Sequence, residues 1–133
     1  MTEPETLPDY VLRNRAYWDE VNAARHAEPG RRAWARNDFT WGIFKVPESD
    51  LRALPDDLAG RDVIELGCGT AYLSAWLARR GARVTGIDNS EEQLNTARAL
   101  QADTTWSSRS SMATPSLSRY RMRASTSPSA STA

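Results

Sequence analysis

The residues best suited to chemistry lie in the stretch 65–88, where two carboxylates flank a pair of glycines. Glu65 precedes the turn Gly67-Cys68-Gly69, and Asp88 follows Gly69 by 19 positions. Glycines let a ligand approach the backbone closely, and an acid that ends a strand beside such a turn accepts hydrogen bonds from ribose hydroxyls. This combination predicts a binding site for a nucleoside-containing ligand.

The sequence on either side of these glycines predicts a β-α-β unit. Residues 61–66 end in an apolar run, and residues 70–80 have helical spacing with Gly81 as the stop. Residues 82–88 contain the β-branched side chains of a second strand. The two strands of such a unit are parallel, and a ligand binds at their carboxyl ends.

Two other interpretations of the glycine turn remain open, a dinucleotide site and a structural turn without a ligand. The dinucleotide pattern requires a small residue at position 72, where this chain has Tyr72. A carboxylate at Glu65 also repels a pyrophosphate at short range, whereas it attracts a cationic ligand. Both observations argue against a dinucleotide.

The pattern Glu65-x-Gly67-x-Gly69-x-Ala71 resembles the first motif of the class I S-adenosylmethionine-dependent methyltransferases, which reads acid-x-Gly-x-Gly-x-Gly. The departure is at the third glycine, where Ala71 has less backbone freedom. The resemblance implies S-adenosyl-L-methionine as the cofactor. It also implies a partner for the methionyl end at Glu65, directly or through water, and a ribose acceptor at Asp88.

The same resemblance makes Gly67, Cys68 and Gly69 the loop beneath the cofactor. Asn89 is either a contact to the adenosine or a turn former. No catalytic residue can be named, because in this family the acceptor site is built from strands beyond the second. The sequence indicates no metal site.

The length of the chain predicts an incomplete fold. At 133 residues it is shorter than a full doubly wound methyltransferase sheet. We expect an α/β protein with an incomplete Rossmann-like, doubly wound parallel sheet. Its predicted parts are an N-terminal helical and aromatic cap at 1–60, a partial cofactor-binding unit at 61–102 and a disordered tail at 103–133. An isolated chain of this kind is expected to be marginally stable and inactive.

The composition changes abruptly near residue 103. Ten Ser and five Thr make up half of residues 104–133, and large apolar residues there are isolated. We therefore expect disorder and no third strand. A shifted reading frame or a lost continuation explains this change, and a genuine Ser-rich regulatory tail is the alternative.

The charges and the cysteine count restrict the partners and the compartment. Residues 1–103 hold 13 basic and 17 acidic side chains, hence 13 − 17 = −4, and the remaining residues carry four Arg and no acid. The arginines are dispersed, so no nucleic-acid partner is expected. A single Cys and a polar, acidic N-terminus favour the cytoplasm, and no apolar run suits a membrane span. A small-molecule acceptor is expected, and the oligomeric state cannot be read.

The N-terminal segment is predicted to form a helix over residues 10–27, ended by Pro29-Gly30, with a helical turn around Trp34. His26, near the end of this helix, is expected to be a solvated residue rather than a catalytic base. The aromatic residues of this half form either a lid over the cofactor or ordinary packing, and they are Trp18, Trp34, Trp41 and Phe44.

Three smaller features carry expectations of their own. Ser90 and Gln93 fit a reciprocal capping box at the start of a helix that reaches about residue 102. The pair Arg79-Arg80 is expected to favour the helix dipole and solvent. Cys68 is expected to matter through its backbone, although a helix N-terminus is able to lower the pKa of a thiol.

The function predicted from the sequence is therefore that of an S-adenosylmethionine-dependent methyltransferase, represented by its cofactor-binding N-terminal part. The alternative is a non-catalytic cofactor-binding module that needs a partner chain. Titration with S-adenosylmethionine and with NAD separates these possibilities from dinucleotide binding.

Overall fold

A computed structural model describes residues 7–103 and 116–119. The elements, in chain order, are α1 Asp9–Arg25, α2 Ala27–Trp34, β1 Thr40–Trp41, β2 Val46–Pro47, α3 Glu48–Leu51, β3 Asp62–Leu66, α4 Tyr72–Arg79, β4 Arg83–Asp88, α5 Glu91–Asp103 and β5 Ser116–Arg119. In the described ranges, no helix has the length and apolar character needed to span a bilayer.

The central sheet has the strand order β3-β4-β5, and both pairs are parallel. Helix α4 connects β3 to β4, so the predicted β-α-β unit is present, and α5 lies between β4 and the parallel strand β5 as in a second such unit. A separate two-stranded antiparallel pair joins β1 to β2. The predicted class, an incomplete Rossmann-like α/β sheet, is confirmed.

The two faces of the sheet differ in how well they are covered. Strand β3 alternates between half-buried and exposed residues, with Val63 and Glu65 on the half-buried side. On the other side Ile64 is 58% exposed and Leu66 is 72% exposed. This second side of β3 is therefore more exposed than the first within the described ranges, as expected for a partial doubly wound fold.

The core consists of two apolar clusters that meet at α4. Small residues on this helix let its neighbours approach closely, and they include Ala75 and Ala78. The first cluster joins α2, the glycine turn and α5, and contains Trp34, Cys68, Ala71, Ala75, Leu94, Ala97 and Leu100. The second lies against β4 and contains Phe39, Leu58, Trp76, Leu77, Ala78, Ala82 and Val84.

The prediction that Pro29-Gly30 ends the N-terminal helical region is wrong, because both residues lie inside α2. Pro29 is the third residue of this helix, where a missing N–H costs little. Gly30 is buried, and its amide donates to the carbonyl of His26 at 2.9 Å. Its missing side chain brings α2 against Thr70, just beyond the glycine turn.

A third strand is present, contrary to the expectation that none follows α5. Strand β5 pairs in parallel with β4, with Gly86 opposite Leu117 and Asp88 opposite Arg119. For these four residues the prediction of disorder is wrong, because backbone pairing along an existing strand edge does not require a long apolar run. The rest of the predicted tail, at 104–115 and 120–133, lies outside the described residues.

The pair Arg79-Arg80 has partners that the sequence did not predict. The guanidinium of Arg79 donates to the carbonyls of Trp34 and Arg36, at the C-terminal end of α2 and just beyond it. The guanidinium of Arg80 stacks on the ring of Trp76, 3.3 Å from its centroid. Arg79 therefore connects α4 to the end of α2, whereas the ring contact of Arg80 is with α4 itself, and burial lowers the pKa of both guanidinium groups.

We predict that Gly30→Ala destabilises the chain, even though the same change in an exposed helix stabilises it by about 0.5–1 kcal/mol. The added Cβ would lie 3.0 Å from Oγ1 and 3.2 Å from Cγ2 of Thr70. Overpacking of this kind costs about 1–3 kcal/mol. Thermal or denaturant unfolding followed by circular dichroism measures the change.

Thr70→Ala provides the control, because it removes two of the three atoms that the new methyl group would meet. The double variant should lose less stability than the sum of the two single variants. A Gly30→Ala chain that is more stable than the parent would show that α2 does not pack on Thr70 as described.

Candidate functional site

The carboxylate of Asp88 connects the two loops at the carboxyl ends of β3 and β4. Its Oδ2 accepts a hydrogen bond from the amide of Gly69 at 2.7 Å, and its Oδ1 accepts one from the amide of Ser90 at 2.8 Å. Hydrogen bonds to a charged acceptor are stronger than neutral ones. Asp88 therefore fixes the glycine turn relative to the start of α5.

The glycine turn continues the parallel ladder before it departs from the sheet. The amides of Gly67 and Cys68 both donate to the carbonyl of Ile87, at 2.7 and 3.0 Å. Gly67 and Gly69 have φ values of 70° and 54°, and Ala71 adopts the same left-handed region at 61°. Ala71 thus keeps the conformation for which the third glycine of the motif is suited, at the steric cost of its Cβ.

Glu65 faces the first turn of α4. Its Oε2 accepts hydrogen bonds from the amide of Ser74, at 2.9 Å, and from the Ser74 hydroxyl. Burial raises the pKa of Glu65, the two hydrogen bonds from Ser74 oppose this shift, and the nearby charge of Asp88 adds to it. Glu65 is therefore a half-buried carboxylate held against the helix that follows the glycine turn.

The Cys68 thiol is buried in the first core cluster. Desolvation, with smaller contributions from the charges of Glu65 and Asp88, raises its pKa to about 12. A helix N-terminus therefore does not activate this thiol. As expected from the sequence, Cys68 contributes its backbone to the turn and its side chain to packing.

A cavity of about 520 Å³ opens at the carboxyl ends of β3 and β4. Its volume lies within the range of roughly 300–1,000 Å³ that is usual for small-molecule sites. The walls come from α1, both strand ends and the start of α5, and the lining residues are Asn14, Arg15, Trp18, Leu66, Gly67, Gly69, Ile87, Asp88, Asn89, Ser90 and Gln93.

Four of the six predicted site residues line this cavity, namely Gly67, Gly69, Asp88 and Asn89. Glu65 and Cys68 are not among its lining residues. The structure thus brings the glycine turn and the second acid together. It places the first acid beside Ser74, and the charge of Asp88 still acts on it.

Helix α1 forms one wall of the cavity and is held there by several hydrogen bonds. Arg15 Nε donates to Asn89 Oδ1 at 2.9 Å, and the Ser90 hydroxyl donates to Asp19. Arg15 Nη2 is buried and has no hydrogen-bond partner among the described residues. This wall was not predicted as a unit from the sequence, although Asn14, Arg15 and Trp18 recur at the three- and four-residue spacing of one helix face.

The capping box at α5 is present in half. The amide of Gln93 donates to Ser90 Oγ at 3.2 Å, as predicted. The second hydrogen bond of the box, from the Ser90 amide to the Gln93 side chain, is absent, because that amide donates to Asp88 instead. Gln93 Oε1 is buried and has no hydrogen-bond partner in the part of the chain that the structure describes.

Of the two alternatives for the aromatic residues, the prediction of a lid over the cofactor is wrong for three of the four. Only Trp18 lines the cavity. Trp34 lies in the core and donates from Nε1 to the carbonyl of Thr70 at 2.6 Å, whereas Trp41 packs edge-on against Phe39. Phe44 is 86% exposed in the turn between β1 and β2. Ordinary packing explains Trp34 and Trp41.

A second recess, of about 650 Å³, lies near α3 and the C-terminal end of α4. It is lined by residues such as Leu58, which precedes β3, and Arg80, which precedes β4. It therefore lies at the amino ends of the strands, where parallel α/β sheets do not bind their ligands. Within the described ranges no cluster of three metal-ligating side chains occurs.

The known proteins that this chain resembles are methyltransferases. The methyltransferase-domain family matches residues 63–122, from the first strand to a point beyond β5. A ubiquinone biosynthesis O-methyltransferase of Stutzerimonas stutzeri is 56% identical over 82 residues, which are 60% of this chain and 35% of that protein. The enzyme of the same name from Methylobacterium sp. is 47% identical over 86 residues, covering 62% and 32%.

Solved structures agree on the fold. Magnesium protoporphyrin IX methyltransferase from Synechocystis, with bound S-adenosylhomocysteine, superposes with a TM-score of 0.53 at 22% identity, over 83% of this chain and 51% of that one. The same enzyme with bound S-adenosylmethionine gives 0.53 at 20% identity, over 86% and 56%.

The chain spans about a third of the length of the curated relatives that it matches. Within that span the family match, the acid-glycine turn and the parallel sheet agree with one another. Over residues 63–122 the chain matches the methyltransferase-domain family, and it shares the fold of class I S-adenosylmethionine-dependent methyltransferases, whose cofactor is S-adenosyl-L-methionine.

Proposed function

We propose that this chain binds S-adenosyl-L-methionine in the cavity beside Asp88 and holds it for methyl transfer to a small-molecule acceptor. The observation that carries the proposal is the pair of hydrogen bonds from Gly69 and Ser90 to the Asp88 carboxylate, at the edge of a 520 Å³ cavity. This arrangement holds an anionic group at the carboxyl ends of two parallel strands, where α/β sheets bind nucleosides.

Asp88 is suited to ribose recognition. Each of its oxygens accepts one backbone N–H, and a carboxylate oxygen has lone pairs for a second donor. Two adjacent ribose hydroxyls would occupy these positions without displacing the glycine turn. The ligand would thus bind to a carboxylate whose orientation is already fixed.

The glycine turn would support the rest of the ligand. Gly67 and Gly69 line the cavity without side chains, so a ligand reaches their backbone atoms. Cys68 would contribute only its backbone, since its thiol is buried. Asn89 is proposed to contact the adenosine from the cavity wall, in an orientation set by Arg15.

Glu65 would act as a positioning residue. Its carboxylate is bonded to Ser74, so direct contact with the methionyl end is a weaker proposal than action through α4, a bridging water or its charge. A negative charge near the cavity favours a cation over a polyphosphate at short range. This charge supports the choice of a sulfonium ligand over a dinucleotide.

When bound, S-adenosylmethionine supplies a methyl group on a sulfonium, and catalysis of its transfer depends largely on positioning. Trp18, Leu66 and Ile87 present apolar surface to the cavity, which excludes water around the ligand. No residue of this chain is proposed as catalytic. The names of the relatives describe O-methyl transfer, so a hydroxyl is the first acceptor class to test.

The second candidate function, a cofactor-binding module without activity of its own, rests on the open face of the sheet. Ile64 exposes apolar surface away from the cavity, and a complete methyltransferase sheet would cover it. Under this proposal a further segment or chain covers that face. Cofactor binding without methyl transfer to any hydroxyl, amine or thiol acceptor would support it.

We also propose the assignments that were made from the sequence alone. They are the division into 1–60, 61–102 and 103–133, a change of reading frame near 103, and a cytoplasmic setting. The family match through residue 122 includes part of the third segment. Coding DNA whose alternative frames past codon 103 lack β-α-β patterning would contradict the frame change.

We predict that Asp88→Asn weakens the affinity for S-adenosylmethionine about tenfold or more. An amide side chain offers one acceptor oxygen and no charge, and a hydrogen bond to a charged group is worth about 1.5–3 kcal/mol. Isothermal titration calorimetry with S-adenosylmethionine and with NAD measures the effect and tests the ligand class together.

Asp62→Asn is the matched control, because Asp62 is an exposed acid at the amino end of β3. Its affinity for S-adenosylmethionine should stay within about twofold of the parent's. Equal affinity in the Asp88 variant, or binding of NAD alone by the parent, would contradict the proposed function.

We predict that Glu65→Gln becomes more stable relative to the parent as the pH rises from 4 to 7. Burial raises the pKa of Glu65 above the 4.5 of an unperturbed carboxyl group, so the parent loses stability as this group ionises in the folded state. Glutamine does not ionise and retains an acceptor for Ser74. Denaturant unfolding of both chains across this range measures the difference.

The control again is Asp62→Asn, for which the sign is opposite. The hydrogen bond and the charge of Arg83 lower the pKa of Asp62, so its contribution is present at pH 7 and is lost as the pH falls through the folded-state pKa. Parallel pH profiles for the two variants would show that Glu65 is not buried as described.

A further inference from the structure

Gln93 carries a buried polar group that the fold leaves without a partner. It lies in the first turn of α5, is 5% exposed and lines the cavity beside Asp88. Its Oε1 has no hydrogen bond within the described ranges. Leaving a buried acceptor unpaired is unfavourable, so such an atom requires an explanation.

Capping of α5 does not provide that explanation. In a capping box the N3 side chain bonds to the N-cap amide, and Gln93 is the N3 residue after Ser90. Here the Ser90 amide donates to Asp88 Oδ1, and the backbone of Gln93 bonds to the Ser90 hydroxyl. The side-chain carbonyl of Gln93 therefore takes no part in capping α5.

The position of this carbonyl points to the ligand site. A Cβ placed on Gly69 would lie 3.7 Å from Gln93 Oε1, so the oxygen lies close to the glycine turn. Gly69 itself donates to Asp88 and lines the cavity. The unpaired oxygen, the glycine turn and the acid are therefore neighbours around one opening.

Arg15, which lines the same cavity from α1, carries an unpaired donor, Nη2, within the described ranges. One unpaired donor and one unpaired acceptor on a single cavity indicate that a ligand completes the hydrogen bonding of both walls. An amide carbonyl only accepts, so the group that meets Gln93 is an N–H or O–H donor.

We propose that Gln93 is a further ligand-contacting residue, whose side-chain carbonyl accepts a hydrogen bond from a donor group of the bound cofactor. The inference rests on the proposed function. S-adenosylmethionine offers two such donors, the ammonium of its methionyl end and its ribose hydroxyls, and the shared chemistry is an N–H or O–H directed at Gly69.

The test compares Gln93→Met with the parent by calorimetric titration and by thermal unfolding without ligand. Methionine has a similar length but no strong acceptor. We expect the affinity for S-adenosylmethionine to fall about fivefold or more, while the ligand-free chain keeps its midpoint or gains a few degrees. A residue needed only for packing or capping would show the reverse, with a lower midpoint and unchanged affinity.

Two further variants make the comparison specific. Gln101→Met changes the same residue type two turns along α5, away from the cavity, and should leave the affinity within about twofold. Gln93→Glu keeps an acceptor and adds a charge, so it should retain or increase the affinity for the cationic ligand. If Gln93→Met does not fold, the Glu variant decides, since a loss of affinity there overturns the inference.

A second ligand identifies the donor. 5′-Methylthioadenosine has the ribose but lacks the methionyl ammonium and the positive charge. A loss confined to S-adenosylmethionine assigns the ammonium as the donor, and an equal loss for both ligands assigns a ribose hydroxyl. Unchanged affinity of Gln93→Met for both ligands overturns the role of Gln93 alone, whereas a parent chain that binds neither ligand overturns the proposed function and this inference together.

Discussion

The arrangement of this molecule depends on the Asp88 carboxylate. One of its oxygens binds the amide of Gly69, and the other binds the amide of Ser90. These bonds connect the turn after β3 to the start of α5, although 19 positions separate Gly69 from Asp88. One side chain therefore fixes the glycine turn and the start of α5, which both line the cavity.

The helices support that arrangement from two sides. Helix α2 approaches the turn through Gly30, and Trp34 donates to the carbonyl of Thr70. Helix α1 lies over the end of β4 through the bonds of Arg15 and Asp19. The charge of Glu65 is tolerated because Ser74 donates to it twice. The site is thus built before any ligand arrives, which lowers the ordering cost of binding.

Sequence reasoning predicted the parts that local patterns determine. The β-α-β unit follows from apolar spacing, and the pairing of the glycine turn with Asp88 follows from the rule that parallel strands end at one edge. It predicted only a helical turn around Trp34 in place of the full α2, because Pro29-Gly30 is typical of a helix end and only the approach of Thr70 explains a buried glycine there. It missed β5 for a similar reason, since a four-residue strand depends on the edge of β4.

Side-chain roles within the site were the least predictable. Glu65 and Asp88 both appear as acids beside glycines, yet one faces Ser74 and the other faces the cavity. Side chains alternate between the two faces of β3, and Glu65 lies on its half-buried face. Asp88 instead is the last residue of β4, beside the glycine turn. Gln93 was expected to cap α5, but Asp88 already binds the amide that it would have capped. Competition between two acceptors for one amide is a tertiary effect that spacing does not reveal.

The most direct test of this account is an amide chemical-shift titration of the ¹⁵N-labelled chain with S-adenosylmethionine. We predict that the largest shifts occur at Gly67, Gly69 and Ser90, around the Asp88 carboxylate, with little change at Ser49 and Arg52 beside the second recess. Saturable shifts concentrated at Ser49 and Arg52, with Gly69 and Ser90 unmoved, would contradict it.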